Sequence, residues 1–417
     1  LQCQKSYQDY FITVEPDTDL SMVVRPRALP LLTPVETTDG TRYVWTTFSA
    51  DQIDLNFANP DVLIEIIDLL LFYVEHGAEI IRLDAIAYLW KEVGTSSIHL
   101  PQTHRVVKLF RAVMDAVAPG VILISETNVP HEENSSYFGA PLGHDGSSIS
   151  RGDEAQMVYQ FSLAPLVLHT FYTGDSHVLT EWADSLKVPY PAATFFNFIA
   201  SHDGIGVRPA EGLLSPEEIQ ALADRTIEHG GQVSYKTNTD GTESAYELNI
   251  TLFDALNNPH NPQQATDVRR FLASQAIMLS LAGVPGIYIH SLFGSRNCYS
   301  CFEHTGRARS LNREKFQLAT LEAKLSDPDS ITSQVFSGYK KMLRARQEHP
   351  AFHPHGPQQL FSIGDQAFAV LRSSLNGDRI VLCLVNVTQE NISADLTSIT
   401  SVLGHHQKWT DIITQTS

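Results

Sequence analysis

Apolar and polar positions change their rhythm along this chain, and each change marks an element. From Asn59 the run "NPDVLIEIIDLLLFYVEHG" is helical: Asn59 caps it, Pro60 takes the first helical position, and the run closes at His76 and Gly77. "AEIIRLDA" (78–85) then reads as a buried strand, and "PQTHRVVKLFRAVMDAVAP" (101–119) has helical spacing. The short, continuously apolar runs "GVILISETN" (120–128), "QMVYQFSL" (156–163), "AATFFNFIASHDG" (192–204) and "GVPGIYIHSLF" (283–293) read as further strands. Helical stretches separate them: "PLVLHTFYTG", "HVLTEWADSL" and the amphipathic "DVRRFLASQAIMLSLAG". Apolar strands alternating with helices imply parallel strands covered on both faces. Polar residues gather only at their carboxyl ends, which favours a barrel whose side chains converge at one rim. A doubly wound open sheet would carry a Gly-rich phosphate turn after its first strand, and no such turn is found.

Three regions depart from the alternation. Residues 1–53 are rich in prolines and turn signals and read as irregular. The stretch 204–265 reads as an insertion, with a capping box at Ser215–Glu218 and an Asp-Gly hairpin signal at Asp240–Gly241. Residues 355–417 carry the alternating segments "QAFAVLRS" and "RIVLCLVNVT" of a small C-terminal antiparallel β-domain, leaving 54–350 for the barrel.

The chemistry sits at strand ends. Asp84 follows "IIRL", Glu126 follows "VILIS" and Asp203 closes "IASHD". One acid after a strand is ordinarily a helix cap or a surface group. Three on separate parallel strands of one barrel share a mouth, and paired carboxylates in different protonation states are what glycoside cleavage requires. Arg82 and Asp84 project to the same face of their strand, so an otherwise costly buried charge has a partner.

"RLDAIAYLWKE", "ISETN" and "ASHDGIG" resemble successive catalytic motifs of the α-amylase superfamily. "VWTTFSADQIDLNFANP", "SSIHLPQTH", "YELNITLFDAL" and "TGRARSLNREK" are similar to its sucrose phosphorylase-like branch, which includes phosphorylases of sucrose, glucosylglycerate and glucosylglycerol. The resemblance implies a (β/α)8 TIM barrel and a retaining α-glucoside phosphorylase. It makes Asp84 the nucleophile, Glu126 the general acid/base and Asp203 the stabiliser of the oxocarbenium-like transition state. Arg82 would pair with the nucleophile, while His202 and Arg313 would hold the glucosyl hydroxyls. Inorganic phosphate is the expected acceptor beside the small-molecule α-glucoside, with Arg25, Arg27 and Arg208 as candidate cations for it. The "SHDGIGVRPAEGLL" and "TGRARSLNREK" variants lean towards the glucosylglycerate or glucosylglycerol members. A hydrolase or transglucosylase on the same scaffold is the alternative, since the glucosyl-enzyme is shared and only the acceptor differs. A non-catalytic carbohydrate-binding remnant is the third reading.

The resemblance also sets an expectation about extent. The family's first three barrel strands and their Asp-x-x-x-Asn-His type motif have no counterpart before Asp54. The chain is therefore expected to supply strands four to eight, with 1–53 a remnant of the irregular domain inserted after strand three. A barrel with open edges implies an amino-terminally truncated, poorly active piece.

Composition adds exclusions. A net charge of −18 argues against a nucleic-acid partner, and no apolar run free of charges reaches membrane-spanning length. Four cysteines in 417 residues suggest a reducing compartment, hence the cytoplasm. Cys298 and Cys301 have zinc or redox spacing, but no second pair follows and a plain loop is expected. His99 and His104 are poorly spaced for a metal and are expected to line the loop after the fourth strand. "NIT" at Asn249 matches a glycosylation acceptor without any sign of secretion, and no carboxylate-rich loop for calcium is seen. Neither a metal nor another cofactor is expected.

Overall fold

The computed structural model describes residues 7, 9–26, 29–142, 151–237, 242–397, 399–400 and 409–414. Two compact units divide the chain. The first comprises Leu1–Tyr159, Pro189–Ala193 and Tyr235–Ser244; the second comprises Gln160–Val188, Thr194–Ser234 and Ala245–Ser417.

In the first unit, Pro60–Glu75 is helical, with the Asn59 side chain accepting from the Asp61 N–H and Pro60 in the first turn, as the cap residues predict. It buries Val62 and Leu70 and leaves Ile64, Leu69, Phe72 and Tyr73 exposed. Strands Ile80–Leu83, Ile122–Ser125 and Met157–Gln160 follow, each pairing in parallel with the next: Leu83 lies opposite Ser125, and Ser125 opposite Val158. Helix Pro101–Val117 buries Thr103, Val106, Val107, Phe110, Arg111 and Met114, a stripe at helical spacing.

The segment expected to be irregular contains an antiparallel ladder, Leu32–Thr37 against Gly40–Trp45, with Thr37 opposite Gly40. Its β-branched and aromatic positions pair across a tight turn before Gly40, whose φ of 105° suits glycine. The fully buried Trp45 packs with Val23 and Leu31 beneath it.

In the second unit, Thr194–Asn197 pairs in parallel with Val284–Pro285. Both are shorter than the apolar runs suggest. Ile289–Leu292 is a helical turn rather than the continuation of a strand. Pro285 lacks the N–H that a longer ladder needs, and a Cβ on Gly286 would come within 2.3 Å of the Phe196 ring. The Ser215–Glu218 capping box is present at the start of Pro216–Glu228. Asp240 and Gly241 lie outside the described residues. The strand Glu243–Asn249 runs antiparallel to Ile205–Gly206, with Glu247 opposite Gly206. Gln358–Phe361, Ala367–Ser373 and Ile380–Asn386 form an antiparallel sheet whose central strand is buried almost throughout. One large apolar core joins helices Leu163–Thr173, Gln264–Ser280 and Ile331–Glu348 with that sheet. No helix among the described residues is long and apolar enough to cross a membrane.

Candidate active site

Asp84 and Glu126 each follow immediately on a strand, Leu83 and Ser125 being the last strand residues of a parallel pair. Adjacent parallel strands in register bring their carboxyl ends side by side, so the two acids emerge together. Arg82, one position back from Leu83, serves both. One terminal nitrogen donates to Asp84 Oδ1, the other lies 3.8 Å from Glu126 Oε2, and Nε donates to the Tyr159 hydroxyl at 2.9 Å. Burial works against the Arg82 charge, yet Glu126, Tyr159 and Asp84 around it prevail and its pKa is raised. Burial also raises the Tyr159 phenol, against the pull of Arg82.

The chain turns sharply after Asp84. Ala85 adopts left-handed backbone angles, φ 46° and ψ 36°, and its N–H donates to Glu126 Oε2 at 2.8 Å. A non-glycine residue pays about 1 kcal/mol for that conformation, and here it orients the Glu126 carboxylate. Glu126 is mostly buried, whereas Asp84 is open to solvent.

Asp203 belongs to the second unit, in the loop between Asn197 and Ile205 rather than directly at a strand end. Its environment is cationic. Arg309 forms an ion pair with Asp203 Oδ1, and Arg313 donates to the same oxygen at 3.1 Å. Arg313 Nε also donates to the His202 carbonyl at 2.5 Å. His202 Nε2 stands 3.7 Å from Oδ2, beyond a direct hydrogen bond, with its imidazole exposed. Asn312 Nδ2 donates to the Ser201 and Asp203 carbonyls at 3.2 and 2.9 Å and fixes the loop's backbone. Beside this cluster the Tyr288 hydroxyl donates to the Asn312 carbonyl at 2.7 Å, and burial pushes its pKa up to about 12.

Among the residues singled out in the sequence, Arg82 joins Asp84 to Glu126, and His202, Asp203 and Arg313 lie together. Arg25 is turned to its own segment, donating to the Leu29 carbonyl. Arg27 lies outside the described residues, and Arg208 opens the 3-10 turn Arg208–Ala210. His104 sits on helix Pro101–Val117 rather than in a loop, with Nδ1 2.9 Å from a Glu154 oxygen; His99 Nδ1 is 3.0 Å from the Tyr137 hydroxyl. Cys298 and Cys301 form a disulfide in place of the plain loop expected from their spacing. Two participants escaped attention. Arg309 lies inside the quoted "TGRARSLNREK", but nothing local separates its role from that of its neighbours. Tyr159 reads in sequence as an ordinary strand residue.

Residues 2–203 match the α-amylase catalytic domain family. The chain is 55% identical over 390 residues to a glucosylglycerate phosphorylase of Allomeiothermus silvanus, covering 93% of this chain and 68% of that protein. It is 43% identical over 405 residues to a glucosylglycerate phosphorylase of Escherichia coli, covering 97% and 70%. It therefore spans about two thirds of the length of these curated relatives. The crystal structure of sucrose 6F-phosphate phosphorylase from Thermoanaerobacter thermosaccharolyticum superposes with a TM-score of 0.76 at 21% identity, over 92% of this chain and 74% of that one. That likeness is one of fold: an α-amylase-type barrel of parallel strands with antiparallel sheet towards the carboxyl end.

Proposed function

The chain belongs to the α-amylase family, in its branch of α-glucoside phosphorylases, and from that premise we propose that it transfers glucose from glucosylglycerate to inorganic phosphate with retention of configuration. The observation that carries the reading is the Arg82 guanidinium reaching both Asp84 and Glu126 at the ends of adjacent strands. A retaining enzyme needs two carboxylates flanking the scissile bond, close enough for one to attack and the other to protonate, and a single guanidinium reaching both holds them as such a pair.

The assigned chemistry has two displacements. Asp84 attacks the anomeric carbon and the bond to the glycerate oxygen breaks, while Glu126 delivers its proton to that oxygen. A hydrogen phosphate oxygen then attacks the β-glucosyl ester, releasing α-glucose 1-phosphate and the Asp84 carboxylate, while the phosphate's proton passes to Glu126 and restores its acid form. Arg82 pairs with the nucleophile and fixes its carboxylate, and the Ala85 N–H holds the acid/base carboxylate in place. Asp203 stabilises the positive charge that develops on the ring, and His202 and Arg313 bind the ring's hydroxyls. Arg208 is the candidate cation for the phosphate, Arg25 being turned to the Leu29 carbonyl and Arg27 lying outside the described residues. The two parallel groups of strands correspond to barrel strands four to eight. Residues 1–53 are the irregular domain inserted after strand three, 54–350 the barrel with its insertion at 204–265, and 355–417 the C-terminal β-domain.

The test is incubation with glucosylglycerate, sucrose or glucosylglycerol and inorganic phosphate, following sugar phosphate by phosphorus NMR. Phosphate-dependent formation of the α-anomer from glucosylglycerate, lost in Asp84→Asn, is expected. Glucose release at the same rate without phosphate would assign the protein to the hydrolases instead, and a β-anomer would end the double-displacement reading.

A further inference from the structure

Glu247 is a buried acid that the reading above leaves without a task. It sits on strand Glu243–Asn249, only 4% exposed. A carboxylate so deeply buried is costly unless it is paired, and its partner is Arg309: Nε donates to Oε1 at 2.9 Å and a terminal nitrogen to Oε2 at 2.5 Å. This is the two-pronged geometry that a planar guanidinium makes and a lysine does not. The remaining nitrogen of the same guanidinium pairs with Asp203 Oδ1. All three nitrogens of Arg309 are thus committed, two to Glu247 and one to Asp203.

We propose that Glu247 is a positioning residue for glucosyl transfer: by clamping Arg309 from behind, it fixes where the Asp203 carboxylate stands. Arg309 and Arg313 both bind Oδ1, whereas Oδ2 faces the exposed His202 imidazole at 3.7 Å. One oxygen is anchored by two arginines, and under the role proposed for Asp203 the other is the one left for the sugar. Without the Glu247 charge, Arg309 is free to turn its fork onto Asp203 and occupy both oxygens. The backbone enforces the same arrangement. Glu247 lies opposite Gly206 in the ladder, and Gly204 presses so close that a Cβ there would stand 2.5 Å from Glu247 Cγ. The loop bearing Asp203 is therefore seated directly on the side chain that holds its counter-ion. Burial opposes the Arg309 charge, but Glu247 and then Asp203 outweigh it and raise its pKa, so the linking cation persists across the working pH range.

The inference rests on the assignment of Asp203 under the proposed function, and the experiment separates the two. Glu247→Gln keeps the shape but sets an amide N–H₂ against the guanidinium. Its kcat for phosphate-dependent glucose 1-phosphate formation should fall about 100-fold, the scale of an ångström misplacement at a reacting centre, with KM nearly unchanged and the thermal midpoint of a folded protein. Glu247→Asp, which keeps the charge, should recover a large part of that loss. Arg309→Ala should lose activity similarly and regain part of it on adding guanidinium chloride. In parallel, binding of the cationic iminosugar 1-deoxynojirimycin should weaken at least tenfold in Glu247→Gln while binding of glucose does not. A Glu247→Gln protein within twofold of the parent in kcat and in iminosugar binding overturns the positioning role and leaves the functional reading standing. A parent that neither turns over any glucoside nor binds the iminosugar removes the functional reading and this inference together.

Discussion

Gly204→Ala is the smallest change that should disturb the second half of the site. The added Cβ would lie 2.5 Å from Glu247 Cγ and 2.6 Å from the Leu248 carbonyl oxygen. The carbonyl cannot swing aside, because Leu248 is paired with Ile205 in the ladder. Ordinary contact begins near 3.4 Å, so the loop must move by about 0.9 Å, a forced fit of the kind that costs folded proteins about 1–3 kcal/mol. Asp203 is the adjacent residue and must travel with it. Displacement by about 1 Å at a reacting group lowers rates roughly 100-fold, which is about 2.7 kcal/mol on the barrier. The assay pairs kcat for phosphate-dependent glucose 1-phosphate release with the thermal midpoint of the same preparation. A loss of kcat far larger than the loss of folded protein is expected. An alanine variant within threefold of the parent would refute the claim that Asp203's position depends on this close approach.

Other outcomes follow from the same physics. Arg372 is fully buried and donates to the carbonyls of Ser280, His353 and Gly356 at 2.9, 2.9 and 3.2 Å. Burial pushes its pKa down to about 10. Arg372→Met should cost about 3 kcal/mol, since a buried carbonyl that loses its donor costs about 1–3 kcal/mol and that of His353 keeps another, the Gly356 N–H at 2.8 Å; an unchanged urea midpoint would contradict this. His290 has its pKa lowered by burial, against the opposing pull of Glu314. The unfolded chain therefore takes up the proton first, and stability is lost as pH falls below the ordinary 6.5. Replacing His290 with Gln should flatten the decline of the thermal midpoint on that side, and an identical pH slope in both proteins would count against it. Reduction should expose two more reactive thiols in the denatured protein, those of Cys298 and Cys301; an unchanged thiol count would show that the pair is not bonded.

What the sequence determined alone is what short-range spacing encodes. Periodicity in the apolar positions places the helices and the parallel strands, and Asn59 with Pro60 and Ser215 with Glu218 set helix starts, because caps act within one turn. Arg82 and Asp84 share a face for the same local reason, and their ion pair follows from it. Local signals mislead where sterics or pairing intervene: Leu32–Trp45 pairs although it is rich in turn residues, and the run after Gly283 leaves the ladder at Pro285. Only the tertiary structure decided that Arg82 meets Tyr159, 77 residues away, and that Arg309 meets Glu247 across 62. Partners so distant are chosen by the register of ladders and the burial of whole elements. A guanidinium has no sequence mark for which carboxylate will be left beside it once the apolar faces have closed.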